Sequence, residues 1–178
     1  MLNTQPEYSE YYVRRSTAFG VLGYPQRTIE DCDKALTLNP SNAVAYFNKG
    51  KAHYELDELD HALACFTSAL RIDPEFSEAC NARGVVYASL RQNKLALSDF
   101  DVAIILEPTK WLAFRNRAQI YFLHERYEHA LRDMNYFIRF VKKAEAYLFR
   151  AQIFEKLLMP EAALADRKRA AELAHHSR

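Results

Sequence analysis

Three prolines, Pro40, Pro74 and Pro108, stand 34 residues apart twice in succession. The same step relates Gly50 to Gly84 and links Ala62, Ala96 and Ala130. Aromatic or similar residues keep the step as well, at Tyr12, Tyr46, Cys80 and Phe114, with Tyr147 following after 33. A fixed period of this length requires stacked supersecondary units, none of which can bury its apolar face alone.

Inside each unit the apolar spacing is helical. Ala96, Leu97, Phe100, Ala103, Ile104 and Leu106 make one stripe of an amphipathic helix, and Cys80, Gly84 and Tyr87 make another. SLRQNKL is a polar break between them, and Pro108 stops the second helix. Each unit therefore reads as helix, short turn, helix. Pro25 and Pro160 suit the first turn of second helices. Small residues recur at Ser16, Gly50, Gly84, Ala118 and Ala151, and again at Ala35, Ala69, Ala103 and Ala170, where helix axes can approach closely. Phe137 breaks the second series, and the next step shrinks to 33. An altered junction is expected there.

These residues resemble the tetratricopeptide repeat (TPR) family. Tyr46, Gly50, His53, Ala62, Phe66, Ala69 and Pro74 match its pattern almost in full. The resemblance implies an all-α, right-handed α-solenoid of stacked antiparallel helix pairs. Five repeats are expected at about 9–42, 43–76, 77–110, 111–143 and 144–176, forming one domain over 9–176 with an extension at 1–8 and a tail at 177–178.

Five units sample each slot five times. One first-helix slot is always basic: Arg15, Lys49, Arg83, Arg117 and Arg150. A second-helix slot holds Asp31, Cys65, Asp99, Asp133 and Asp166. The second unit alone lacks the Asp and alone carries Lys. Guanidinium grips carboxylate in bidentate fashion and ammonium does not, so Arg–Asp pairs between stacked helices are expected. A charged ladder open to ligand is the competing reading, and recurrence in nearly every unit favours the structural one.

The resemblance further implies that first helices line a concave groove. The expected peptide-binding residues are Phe47, Asn48, Lys51, Asn81, Arg115, Asn116, Gln119 and Phe122. The amides suit a peptide backbone, Lys51 and Arg115 an acidic group, and the aromatics an apolar side chain. One TPR subclass clamps the acidic tail of heat-shock chaperones with two Lys, two Asn and an Arg. Every register here breaks that set. The first, for example, puts Val13 and Thr17 where Lys and Asn are needed, and Glu78 and Ala82 where Lys and Arg are needed. A chaperone-tail adaptor of that type is not expected.

Net charge is +1, which argues against a dedicated nucleic-acid binder. It is unevenly spread, −5 over residues 1–108 and +6 over 109–178. That asymmetry suits an acidic partner for the C-terminal half or head-to-tail contact between copies. No apolar run reaches the ~18 residues of a membrane span, and the first residues lack a signal-peptide pattern. A cytoplasmic location is expected. Cys32, Cys65 and Cys80 lie in helical apolar patterns and read as buried thiols. Arg167 occupies a slot that is Cys32, Phe66, Phe100 and Met134 elsewhere, as expected of a terminal repeat.

No enzyme is expected, for there is no phosphate loop, nucleophile elbow or C-x-x-C pair. Neither a cofactor nor a metal site is expected. His124 and His129 are five apart, His175 and His176 are adjacent, and Asp57, Glu58 and Asp60 lack the length and glycine of a Ca²⁺ loop. The expected function is a non-catalytic protein-interaction module that binds an extended peptide. The alternative is a self-associating scaffold acting through its edges.

Overall fold

The computed structural model describes residues 6–175. Residues 1–5, and the tail at 176–178 with His176, lie outside the described residues. Ten helices and no strand occur among the described residues. They are α1 (Pro6–Val21), α2 (Pro25–Leu38), α3 (Ala43–Glu55), α4 (Leu59–Ile72), α5 (Ser77–Ser89), α6 (Asn93–Leu106), α7 (Leu112–Leu123), α8 (Tyr127–Phe140), α9 (Ala144–Lys156) and α10 (Pro160–His175). Odd and even helices pack as successive pairs. The chain divides into two compact units, one holding α1–α6 and the other α7–α10. α1 begins at Pro6, inside the stretch read from sequence as an extension.

Pro25 and Pro160 open α2 and α10, where a missing N–H costs nothing. Pro40, Pro74 and Pro108 each stand two residues beyond the end of an even helix. Asn42 caps α3 by accepting from the Ala45 N–H at 2.9 Å.

The turn inside each pair is the same six-residue closure. The N–H groups of Tyr24, Glu58, Gln92, Arg126 and Met159 donate to the carbonyls of Phe19, His53, Tyr87, Tyr121 and Phe154 at 2.8–2.9 Å. The residue before each donor is left-handed: Gly23, Asp57, Arg91, Glu125 and Leu158, with φ between 57° and 74°. Only one of these five is glycine, so four turns hold a side chain in a conformation that L-residues adopt at a cost.

Packing inside a pair is matched by size. The small slot on the odd helix faces the residue sixteen positions later on the even helix. A Cβ on Gly50 would stand 2.7 Å from the Phe66 ring, and one on Gly84 2.7 Å from Phe100. Where the small slot is Ser16, Ala118 or Ala151, the residue sixteen later is Cys32, Met134 or Arg167. Glycine thus occupies the small slot only in the two pairs where the facing slot holds a phenylalanine. Ala35, Ala69, Ala103 and Ala170, the second small series, are all at most 3% exposed. Arg167 is exposed and pairs with Glu155, whereas Cys32, Phe66, Phe100 and Met134 are buried.

All three cysteines are buried and free. Burial pushes their thiols up, that of Cys32 to about 11, so they are protonated packing groups at neutral pH.

Candidate functional site

The recurrent charges settle into one geometry. Arg15 grips Asp31, Arg83 grips Asp99, Arg117 grips Asp133 and Arg150 grips Asp166 through Nε and Nη2, at 2.6–2.8 Å. Each pair joins the two helices of one hairpin. The carboxylates are 3–8% exposed, and the guanidinium side chains 18–39%. The Arg83 pKa is raised, chiefly by its hydrogen bonds to Asp99. These carboxylates are consumed internally, so the column is a fastening rather than a ladder for ligand.

The exception is instructive. With Cys65 in place of Asp, Lys49 turns to Asp33 of the preceding pair, Nζ to Oδ1 at 2.6 Å. Its neighbour Asn48 does likewise: Nδ2 donates to Thr17 Oγ1 at 2.9 Å and to Ser16 Oγ at 3.2 Å. The α3 helix is therefore bonded backward to α1 and α2.

The sequence-predicted groove residues fall into different environments. Within the α1–α6 unit, Asn48 is 8% exposed, with its amide committed to α1. Phe47 is half-buried between Phe66 and Phe76, ring centroids 5.8 and 4.9 Å away. Lys51 is exposed, its ammonium 5.7 Å above the Phe47 ring. Asn81 is half-buried on α5.

Within the α7–α10 unit, Arg115 and Gln119 are exposed on α7 and Asn116 is half-buried. Phe122 is half-buried against Tyr127 and Phe149, at 5.5 and 5.4 Å. Of the predicted set in this unit, Arg115 alone lines a cleft of about 310 Å³ between α7 and the start of α9. Trp111, Leu112, Phe137, Val141, Lys143, Glu145 and Ala146 complete its lining.

Trp111, Val141 and Lys143 were missed by the groove reading. The signal for them was the Phe137 irregularity. A phenylalanine where other even helices carry alanine fills the junction, its ring edge-on to Trp111 at 5.2 Å. The chain then leaves α8 through Val141, Lys142 and Lys143 without a proline. The result is a largely apolar lining that also carries two cations, Arg115 and Lys143, and one carboxylate, Glu145.

Successive antiparallel helix pairs with small residues at the close approach, four of the five closed by an Arg–Asp ion pair, define a helical-repeat protein. Residues 43–76 match the model of the tetratricopeptide repeat. Over that stretch the chain carries a tetratricopeptide repeat, and its remaining helix pairs are similar in fold.

The Hsp70/Hsp90 co-chaperone CNS1 of Saccharomyces cerevisiae is 40% identical over 76 residues, 42% of this chain and 20% of the relative. The matched stretches span about a fifth of the length of such curated relatives. Among solved structures, MamA residues 41-end from Desulfovibrio magneticus RS-1 superposes with a TM-score of 0.82 at 16% identity, covering 95% of this chain and 96% of that one. YrrB, described as a TPR protein with an unusual peptide-binding site, gives 0.72 at 23% identity, covering 91% and 84%. These likenesses place the fold among α-solenoid proteins. No helix among the described residues is long and apolar enough to cross a membrane.

Proposed function

We propose that the chain is a non-catalytic protein-interaction module that binds an extended peptide segment of a partner, and that the α7–α9 cleft is a principal contact. The observation that carries this is the lining of that cleft. Trp111, Leu112 and Val141 offer an apolar floor, while Arg115 and Lys143 offer cations to a carboxylate. An acidic residue next to an apolar one in an extended segment satisfies both. In the α1–α6 unit, Lys51, Phe47 and Asn81 are the further contacts we assign. Asn48 contributes by holding α3 in place, since its amide is already bonded.

The yeast relative is a co-chaperone, which raises the chaperone-tail reading for this chain. The residues oppose the usual carboxylate clamp, because Val13, Thr17, Glu78 and Ala82 stand in a register where two Lys, an Asn and an Arg would converge. The acidic segment we propose is therefore held by a different set, Arg115 and Lys143.

A peptide-display selection against the full chain tests this. The expected result is enrichment of segments pairing Asp or Glu with a bulky apolar residue. Their affinity should drop at least about tenfold when Arg115 and Lys143 are both changed to Ala. Selected peptides that bind the double variant as tightly as the wild type would move recognition away from the cleft.

A further inference from the structure

Three slots surround the turn inside each helix pair. In α1–α2 they hold Phe19, Tyr24 and Arg27, and the Arg27 guanidinium lies 5.5 and 5.4 Å from the two rings. In α7–α8 they hold Tyr121, Arg126 and His129, with Arg126 4.9 Å from the Tyr121 ring. An aromatic and a cation thus close these turns. In α3–α4 the same slots hold His53, Glu58 and His61.

Side chains in those slots converge by construction. The Glu58 N–H donates to the His53 carbonyl at 2.9 Å, fixing the two residues across the turn. The His53 imidazole is 11% exposed, and its Nδ1 lies 2.5 Å from Glu58 Oε2. Its ring stacks on that of His61, centroids 5.2 Å apart and planes 25° apart. One donor atom from each of the three residues lies within 4.8 Å of the others.

We propose that His53, Glu58 and His61 form a binding site for a divalent transition-metal ion of the Zn²⁺ class. Two imidazoles and one carboxylate are the donor set that suits Zn²⁺ and its borderline neighbours, and they disfavour Ca²⁺ and Mg²⁺, which take oxygen ligands throughout. Donors about 2.0–2.1 Å from a tetrahedral ion stand roughly 3.3 Å apart. Rotation of the two outer side chains lets the 2.5 Å His53–Glu58 separation open and the longer ones, at most 4.8 Å, close to that value, since Glu58 and His61 are exposed while His53 is held by the core. Three protein ligands leave a fourth position for water or for a donor from a partner. This site is independent of the peptide cleft, which lies on other helices.

The test is a titration of the full, tag-free chain with Zn²⁺ by calorimetry, paralleled by Co²⁺ read through its visible absorption. One Zn²⁺ per chain is expected at this site, with a rise in melting temperature. His61→Ala and Glu58→Gln alter exposed side chains and should fold normally, yet bind Zn²⁺ at least about tenfold more weakly and lose the thermal shift. His53→Tyr installs the residue found at this slot in α5 and α7 and should abolish binding while keeping the turn packed. Absence of saturable binding overturns the proposal. So does unchanged affinity in His61→Ala and His53→Tyr, which would put the ion on other histidines or on the cysteines.

Discussion

The α3–α4 and α5–α6 hairpins lie in the same compact unit, and each buries a phenylalanine against a glycine, Phe66 on Gly50 and Phe100 on Gly84. Their apolar contacts are interchangeable, but their polar contacts are not. In α5–α6, Arg83 and Asp99 close an ion pair inside the hairpin, and Tyr87 occupies the turn slot. In α3–α4, Lys49 reaches back to Asp33, Cys65 fills the carboxylate slot, and His53 with Glu58 replaces the aromatic turn. The comparison teaches that size-matched apolar slots carry this fold. Polar slots can be reassigned without moving the helices.

The largest expected effect breaks the regular hairpin. Asp99→Ala strands a partly buried guanidinium and should cost toward the lower end of about 3–5 kcal/mol, Arg83 keeping 23% of its side chain in water. Cys65→Ala in the irregular hairpin removes no ion pair and should cost clearly less. Chemical denaturation of both variants makes the measurement, and equal losses would undo the contrast.

Alkaline pH sharpens it next. The Cys65 thiol and the Lys49 ammonium both have raised pKa values, and Cys32 in the preceding hairpin is pushed to about 11. A raised thiol pKa gives stability that is fully present below the unfolded value of 9.0 and is lost as pH climbs through the folded one. Lys49 follows the same sign above 10.5. The N-terminal hairpins should therefore weaken between pH 9 and 11, Cys32 accounting for about 2–3 kcal/mol. Stability of Cys32→Ala/Cys65→Ala plotted against pH should show a flattened alkaline limb, and an unchanged limb would assign the loss to other groups.

A smaller effect tests the shared part. Gly50→Ala drives a Cβ into Phe66 and should destabilise by about 1–3 kcal/mol, with Phe66→Met recovering much of it in the double variant, as in the Ala118–Met134 hairpin. A double-mutant cycle without coupling would contradict the size matching.

Last come the turns. Leu158 is 87% exposed at φ 57°, so Leu158→Gly should raise stability by about 0.5–1 kcal/mol. Asp57→Gly should gain a comparable amount, and a loss at either position would show that the side chain contributes a contact worth more than the strain.

The period was enough to place helices and junctions, because Pro40, Pro74 and Pro108 and the alanine slots act on the chain locally. Arg–Asp pairing was legible for a related reason: four copies of one spacing amount to four trials of the same geometry. Asn48 shows what a single sequence hides. On a helical wheel it belongs with the solvent-facing stripe, yet Ser16 and Thr17, 32 and 31 residues earlier, draw its amide inward. The His53–Glu58–His61 cluster was hidden otherwise. Its histidines are eight apart across a turn, a separation that fits neither helical period, and only the closed turn brings them together. The cleft at Arg115 was announced by Phe137, but nothing in the sequence said on which side of the junction space would open.

The backward reach of α3 also bears on how the chain comes apart. In a repeat array, the contacts between neighbouring units decide where the array can be cut. Here removal of α1–α2 would leave the Lys49 ammonium without Asp33 and the Asn48 amide without either hydroxyl, all on a helix whose own hairpin offers Lys49 no carboxylate in the usual slot. The first two hairpins therefore behave as a four-helix cooperative block. A boundary for shortening this protein from its N-terminus belongs after α4, where the α5–α6 hairpin closes on its own charges.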